Sequence, residues 1–164
     1  MPRFKQKSYY IGNVFTGNFF KSELFCRKNG MNLVTINSKE ESDFLQKILT
    51  EKGDDIENFW ISATRFLDVN ITNECTKLPI PSTNDWIWFT TGERITYFNW
   101  HIGEPNNIYH HGELCVDLKK DNKIWKWVDK TCWDKINFIC EYTWTKEDIQ
   151  GNSKESSQYL TDIY

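Results

Sequence analysis

Apolar residues recur with helical spacing in the first third of the chain and with strand spacing after about residue 53. The first helix is predicted from about Asn18 to Lys28, and the Asn-Gly pair that follows is a common helix end. Phe20 and Leu24 share one face of this helix, which also contains Cys26. We therefore expect the helix to pack on the core through Phe20 and Leu24.

A second helix is predicted to begin at Ser38. Ser38 is followed three residues later by Glu41, the spacing of a capping box in which each residue satisfies a backbone N–H at the helix start. Gly53 is the predicted end. Its apolar stripe is expected to face the core and consists of Phe44, Leu45, Ile48 and Leu49.

Short aromatic and β-branched runs separated by polar turns make up most of the remaining chain. The runs predicted as strands are "SYYIG" and "MNLVTI" around the helices, then "FWISA", "WIWFT", "ITYFNW", "LCVDL", "IWKWV" and "NFICEY". Residues 64–85 contain Pro79 and Pro81 and few strand signals, so they are predicted to form a long irregular loop. Helices first and strands afterwards predict an α+β fold.

The chain of 164 residues has the length of one domain with short extensions. We expect an N-terminal arm over residues 1–7, the domain over residues 8–143 and a polar tail over residues 144–164. The net charge of -3 disfavours a nucleic-acid partner, and no apolar run is long enough to span a membrane. No apolar segment of a signal peptide follows the N-terminus.

Five cysteines lie in the chain, at positions Cys26, Cys75, Cys115, Cys132 and Cys140. No CxxC pair and no cysteine–histidine spacing of a structural zinc site is present. The cysteine count alone fits two disulfides with one odd thiol, and it fits five reduced core cysteines equally well.

Residues 100–115, "WHIGEPNNIYHHGELC", concentrate carboxylate, amide and imidazole groups in one predicted loop. A zinc site on His110 and His111 would need a third ligand at a defined spacing, and no HExxH motif exists. Glu104 and Glu113 could be imagined as a glycosidase pair, but if these two carboxylates bind a metal cation they stay ionised and make poor general acids. The loop predicts a binding site, and no enzyme is expected.

The landmarks follow one another in a specific order: a cysteine in the first helix, then "FWISA", "EPN", "ELC", "WVDKTC" and "FICEY". This order resembles the C-type lectin domain over Ser8–Tyr142. The resemblance implies a double-loop fold in which two helices flank two small antiparallel sheets, with a long loop region. It also implies the disulfides Cys26–Cys140 and Cys115–Cys132, and hence an oxidising, secreted location.

The resemblance further implies a single calcium site formed by Glu104, Asn106, Glu113 and Asp129, with Pro105 in the cis form. All four side chains carry the oxygen donors that Ca²⁺ prefers. Two neighbouring sugar hydroxyls would then bind the ion and hydrogen-bond to the same four residues. The Glu-Pro-Asn order resembles that of lectins for mannose, fucose and N-acetylglucosamine.

Three positions depart from the pattern of strong sugar binders. Val128 stands where the family has an asparagine, so one calcium ligand and one sugar contact are missing. Leu114 and Arg65 stand where a second calcium ion would need carboxylates, so one calcium site is expected. The alternative interpretation is a protein-interaction module of the same fold with a degenerate calcium site.

The favoured hypothesis is a secreted, soluble lectin that recognises or agglutinates microbial or cell-surface glycans, similar to innate-immune lectins of arthropods. His110 and His111 are expected at the rim of the sugar site, where they could contact the ligand. Cys75 could be buried or could link this chain to a partner in a homo- or hetero-oligomer. Asn70 begins an N-glycosylation tripeptide.

Overall fold

A computed structural model of the chain describes residues 1–51, 56–65, 85–107, 112–146 and 148. Two helices and eight strands form there in the α+β arrangement that the sequence predicts. The helices are α1 (Phe19–Lys28) and α2 (Lys39–Glu51). The strands are β1 (Arg3–Phe4), β2 (Lys7–Gly17), β3 (Asn32–Leu33), β4 (Asn58–Arg65), β5 (Trp86–Trp88), β6 (Cys115–Asp121), β7 (Ile124–Lys130) and β8 (Ile136–Thr143).

The strands form two antiparallel groups that are joined into one sheet. In the first group β2 and β3 both pair with β8, and β1 pairs with β2. In the second group β4 pairs with β5 and β6, and β6 pairs with β7. Two parallel pairs, Phe59 with Asn137 and Trp60 with Phe138, connect β4 to β8. The sheet thus runs continuously from β1 to β7.

The bounds of α1 match the prediction, but its predicted core-facing side is wrong. Phe20 and Leu24 are 41% and 67% exposed, while Glu23 and Cys26 are buried. Glu23 accepts a hydrogen bond from the Leu33 N–H at 2.8 Å, and Cys26 forms a disulfide. A bonded carboxylate and a covalent link therefore decide which side of α1 is buried, and they turn Phe20 and Leu24 outward.

The predicted start of α2 is confirmed, with a variation in its cap. The Ser38 hydroxyl accepts a hydrogen bond from the Glu41 N–H at 3.2 Å. The Glu41 carboxylate reaches the N–H of Asn37 at 2.9 Å, one residue before the cap, while its other oxygen accepts from Lys7 and Tyr9. Gly53 lies outside the described residues. Of the predicted stripe, Leu45, Ile48 and Leu49 are buried. Phe44 is partly buried and packs beside them.

The predicted strand "ITYFNW", residues 95–100, is wrong. Arg94 and Trp100 make only isolated bridges, to Ile87 and Trp127 respectively. Ile95 is buried and Trp100 packs against the core, so the segment supplies core rings without joining the ladder. The predicted loop over residues 64–85 falls largely outside the described residues; Thr64 and Arg65 belong to β4.

Both predicted disulfides are present. Cys26–Cys140 joins α1 to β8, and Cys115–Cys132 joins the start of β6 to the residues after β7. The core between them is rich in rings, as five tryptophans are almost fully buried: Trp60, Trp86, Trp88, Trp125 and Trp127. Neither described helix has the length and apolar character needed to cross a bilayer.

Candidate functional site

The loop over residues 101–107 is held against β7 by backbone hydrogen bonds. The Trp127 N–H donates to the Asn99 carbonyl at 2.9 Å, and the His101 N–H donates to the Trp127 carbonyl at 2.8 Å. Trp100 forms a parallel bridge with Trp127 at the same place. The start of the loop therefore lies beside Trp127, two residues before Asp129 on β7.

Asp129 organises the turn of this loop. Its carboxylate is 2% exposed and accepts two backbone hydrogen bonds, from the Asn106 N–H to Oδ1 at 3.0 Å and from the Asn107 N–H to Oδ2 at 2.9 Å. The peptide bond between Glu104 and Pro105 is cis, as the resemblance implies. The structure thus brings Glu104, Asn106 and Asp129 to one place.

Asn107 positions the loop of the candidate site, and the sequence interpretation missed it. It is buried, has a φ of 49°, and its side-chain oxygen accepts a hydrogen bond from the Glu113 N–H at 3.1 Å. Asn107 thereby connects the turn on Asp129 to the segment that carries Glu113. The signal was the second asparagine of "EPNN", because asparagine adopts a left-handed conformation more readily than most residues.

Glu113 lies just before β6 on a segment that β4 holds in place. The carbonyl of Leu114 accepts from the Arg65 N–H at 2.7 Å and from the Thr64 hydroxyl at 2.8 Å. Arg65 is buried and its guanidinium lies 3.3 Å from Asp85. A buried positive charge thus lies beside the segment that carries Glu113.

The carboxylates of this region interact electrostatically. Burial raises the pKa of Glu104 to about 7. A hydrogen bond with Asp129 and the negative charges of Asp129 and Glu113 raise this pKa further, while the charge of His101 lowers it. In the described part of the chain, no hydrogen bond reaches Glu104 Oε2 although this atom is buried. A bound cation would relieve the mutual repulsion of these carboxylates.

The four side chains are of the type that calcium binds, but they are not gathered closely enough to hold the ion by themselves. Three carboxylates and one amide are hard oxygen donors, and Ca²⁺ takes six to eight oxygens. Across the described residues, however, no three acidic, histidine or cysteine side chains are gathered tightly enough to hold a metal ion. Val128, half-buried opposite Asp117, offers no further side-chain oxygen. Backbone carbonyls, water and ligand hydroxyls would have to complete the coordination.

The remaining histidine of the described loop is His101, which was not predicted to be a site residue. His101 is partly exposed and its Nε2 lies 3.0 Å from Asp121 Oδ2; this contact and one to the Ile102 carbonyl raise the pKa of His101. Outside the described residues lie four positions that were predicted from the sequence, Asn70, Cys75, His110 and His111.

A family model described as the lectin C-type domain matches residues 16–142, most of the chain. The chain belongs to the C-type lectin family. This C-type lectin is 33% identical over 146 residues to C-type lectin lectoxin-Lio1 of Erythrolamprus poecilogyrus, covering 86% of this chain and 78% of the relative. It is 29% identical over 139 residues to human lithostathine-1-alpha, covering 83% and 73% respectively.

Solved structures share the fold of this C-type lectin. The lectin domain of murine dendritic cell inhibitory receptor 2, solved in complex with N-glycan, matches with a TM-score of 0.64 at 25% identity, over 87% of this chain and 94% of that one. The cow CD23 carbohydrate-recognition domain, solved in the presence of a GlcNAc2Man3 oligosaccharide, gives 0.61 at 27% identity, over 87% and 92%. A calcium-independent type II antifreeze protein gives 0.63 at 20% identity, over 87% and 90%. The fold alone therefore does not establish calcium binding.

Proposed function

We propose that this C-type lectin binds carbohydrate in a calcium-dependent manner at Glu104, Asn106, Glu113 and Asp129. The observation that carries the proposal is the double hydrogen bond from the N–H groups of Asn106 and Asn107 to the Asp129 carboxylate, which fixes the Glu-Pro-Asn loop beside it. The glycan complexes of structural relatives support a carbohydrate ligand over the alternative of a protein partner.

The four residues would hold one calcium ion, which would supply open coordination positions for two neighbouring hydroxyls of a sugar. The carboxylates of Glu104 and Glu113 would accept hydrogen bonds from those hydroxyls, and the Asn106 amide would donate one. The Glu-Pro-Asn order favours the hydroxyl pair of mannose, fucose and N-acetylglucosamine. His110 and His111 remain candidates for contacts at the rim of the ligand.

The role in this proposal is recognition of microbial or cell-surface glycans by a secreted binding protein without catalytic activity. Two disulfides are stable in an oxidising, extracellular setting. Agglutination would require at least two sites per particle, and a link through Cys75 is one way to provide them. Asn70 would carry a glycan in that setting.

Calcium titration into chelator-treated protein tests the metal site. Trp127 and Trp100 lie beside the loop that carries Glu104 and Asn106, so tryptophan fluorescence should respond to calcium. Glu104→Gln should weaken calcium binding at least about tenfold, because it removes a charged ligand. Glu93→Gln, at an exposed glutamate outside the site, is the matched control and should bind like the wild type. The absence of any response at millimolar calcium would refute the proposed mechanism.

Sugar binding is then measured at saturating calcium and in excess chelator. Mannose, fucose and N-acetylglucosamine should bind only with calcium, and galactose should bind more weakly. Stronger binding of galactose would contradict the specificity assigned to Glu104 and Asn106. Equal binding with and without calcium would contradict the calcium-dependent mechanism while leaving a carbohydrate site in place.

A further inference from the structure

Four large apolar side chains lie exposed side by side at the N-terminal half of α1. Phe20, Leu24, Phe89 and Trp133 are 41%, 67%, 41% and 71% exposed, and together we call them the aromatic patch. The ring centre of Phe20 lies 5.6 Å from that of Trp133 and 6.3 Å from that of Phe89. Leu24 follows Phe20 by one helical turn. Single exposed apolar residues are ordinary, but a contiguous group indicates a contact surface.

The aromatic patch packs on a buried residue that is held in place by the fold. Buried Phe19 packs under it, with its ring centre 5.6 Å from that of Phe20 and 5.4 Å from that of Phe89. The Phe19 N–H also donates to the carbonyl of Cys132 at 3.0 Å, and Cys132 is held by its disulfide. The three segments that present the rings are therefore positioned before any partner binds.

The surroundings of the aromatic patch are basic although the chain as a whole is acidic. The charged residues on α1 and among residues 130–135 around Trp133 are Lys21, Arg27, Lys28, Lys130 and Lys135 against Glu23 and Asp134. Five positive and two negative charges leave a local excess of three positive charges, in a chain with a net charge of -3. Glu23 is buried and pairs with Arg27, and Lys130 lies 3.5 Å from Asp134. Among the described residues Lys21, Lys28 and Lys135 have no ion pair, so they carry the positive excess. The partner that this surface fits is anionic.

The charge around the aromatic patch argues against a second copy of this chain as the partner. The exposed apolar area of the patch is roughly 400 Å², from the typical areas of aromatic and leucine side chains. A second copy of this chain would bring the same lysine-rich rim face to face with itself, and like charges repel. Exposed Trp, Phe and Leu with Lys and Arg at the rim are instead the composition of surfaces that lie in a membrane interface.

We propose that the aromatic patch docks this protein onto anionic lipid membranes. Trp133, Phe20 and Leu24 enter the headgroup region, while Lys21 and Lys28 lie near the lipid phosphates and carboxylates. Such a surface contact requires no membrane-spanning segment. The patch and the candidate calcium site use different residues, so membrane docking is independent of calcium and of sugar.

Trp133 provides a direct reporter for the experiment. All eight tryptophans lie in the described residues, and Trp133 is the one that is largely exposed. The full chain is mixed, in excess chelator, with vesicles of phosphatidylcholine alone or of phosphatidylcholine and phosphatidylserine. We expect co-sedimentation with the anionic vesicles, a blue shift of the fluorescence and quenching by brominated lipids. High salt should reduce the binding.

Matched variants locate the contact. Trp133→Ser and Phe20→Ser should each weaken binding to the anionic vesicles several-fold, and the pair Lys21→Glu and Lys28→Glu should weaken it at least about tenfold. Trp133→Phe should keep the binding and lose the fluorescence shift. The controls are Ile124→Ser, an exposed apolar residue at the far turn of the β6–β7 hairpin, and Lys47→Glu, an exposed lysine on α2. Both should bind like the wild type.

Three results would overturn the proposal. These are no co-sedimentation with anionic vesicles, an equal loss in the patch and control variants, and a wild-type dimer that the Phe20→Ser and Trp133→Ser substitutions dissociate. Circular dichroism of each variant establishes that it is folded. Because the vesicles carry no glycan and calcium is chelated, failure here leaves the proposed sugar binding untouched, and failure of sugar binding leaves this proposal untouched.

Discussion

Val128 stands at the position where the resemblance to the family would place an oxygen ligand of the candidate calcium site. It lies next to Asp129 on β7 and opposite Asp117 on β6. Val128→Asn adds an amide oxygen beside the Asp129 carboxylate, and calcium affinity rises with the number of oxygen ligands. We expect the Kd for calcium to fall about tenfold and sugar binding to strengthen with it.

Isothermal titration calorimetry with calcium measures this gain directly. Val128→Leu is the control, because it changes the size of the side chain without adding an oxygen. An equal affinity for Val128→Asn and the wild type would show that position 128 does not face the ion.

Asp117 predicts a specific dependence of stability on pH. It is fully buried, and burial raises the pKa of its carboxyl from an ordinary 3.8 to about 7, with Lys130 at 3.8 Å opposing the rise. Between about pH 4 and about pH 7 the folded protein therefore binds a proton that the unfolded chain has released. Through this group the free energy of unfolding decreases as pH rises across that interval.

Asp117→Asn removes the titration and keeps the shape of the side chain. In chelator, we expect the variant to be more stable than the wild type at pH 8 by up to about 4 kcal/mol, and equal to it near pH 4. Urea denaturation across this pH range tests the expectation. Parallel pH profiles for the two proteins would show that Asp117 is ionised throughout.

Glu104, Asn106, Glu113 and Asp129 could be proposed from the sequence through the resemblance to the family, and their oxygen donors agree with the ligand preference of calcium. The same reasoning could not find Asn107. Its function depends on a left-handed φ and on a hydrogen bond from the Glu113 N–H six residues along the chain. Contacts of this kind are set by the fold and leave only a weak trace in composition.

Lys7 links one helix, α2, to two strands, β2 and β8. Its ammonium group on β2 lies 2.8 Å from Glu41 on α2 and 2.9 Å from Glu141 on β8, and it donates to Thr35 after β3. The side chain is only 17% exposed. Lys7 therefore places one positive charge between two buried carboxylates that would otherwise repel each other more strongly.

Lys7→Met should lower the free energy of unfolding by about 3–5 kcal/mol, because it leaves buried charges uncompensated. Guanidinium denaturation measures the loss. Lys39→Met is the matched control, since the Lys39–Asp43 pair lies on the surface of α2 and should contribute nothing measurable. Equal losses in the two variants would contradict a buried network at Lys7.

The starts of both helices could be predicted, because capping depends on neighbours in the chain. The buried side of α1 could not, since Phe20 and Leu24 satisfy the helical period as well as the true core side does. Which side is buried depends on Cys140 and Leu33, which bond Cys26 and Glu23 from other strands. The strand predicted at residues 95–100 failed because its apolar residues fill the core without a continuous strand partner.

The two disulfides close loops of different length, 114 and 17 residues in sequence separation. Replacing Cys26 and Cys140 by alanine should cost about 5 kcal/mol, and replacing Cys115 and Cys132 about 3 kcal/mol, because the longer loop restricts the unfolded chain more. Thermal unfolding of the two double variants tests this order. A larger loss for the Cys115–Cys132 pair would show that native packing outweighs chain entropy there.

The order of sequence landmarks was enough to predict the fold, including both disulfides, through resemblance to a family. The parallel pairing that joins the two strand groups could not be predicted from the sequence. It depends on the parallel pairing of Trp60 with Phe138, residues far apart in sequence, and no local pattern encodes that partner.

Pairing of β2 with β8 sets Lys7 opposite Thr143, and the Trp144 N–H donates to the Gln6 carbonyl at 2.7 Å. The two ends of the domain, at residues 6–7 and 143–144, therefore lie next to each other. A domain with adjacent ends can be inserted into a surface loop of a larger protein without distorting that protein. It should also tolerate circular permutation, with a short linker across the junction and new ends opened at the Asn122–Lys123 turn of the β6–β7 hairpin.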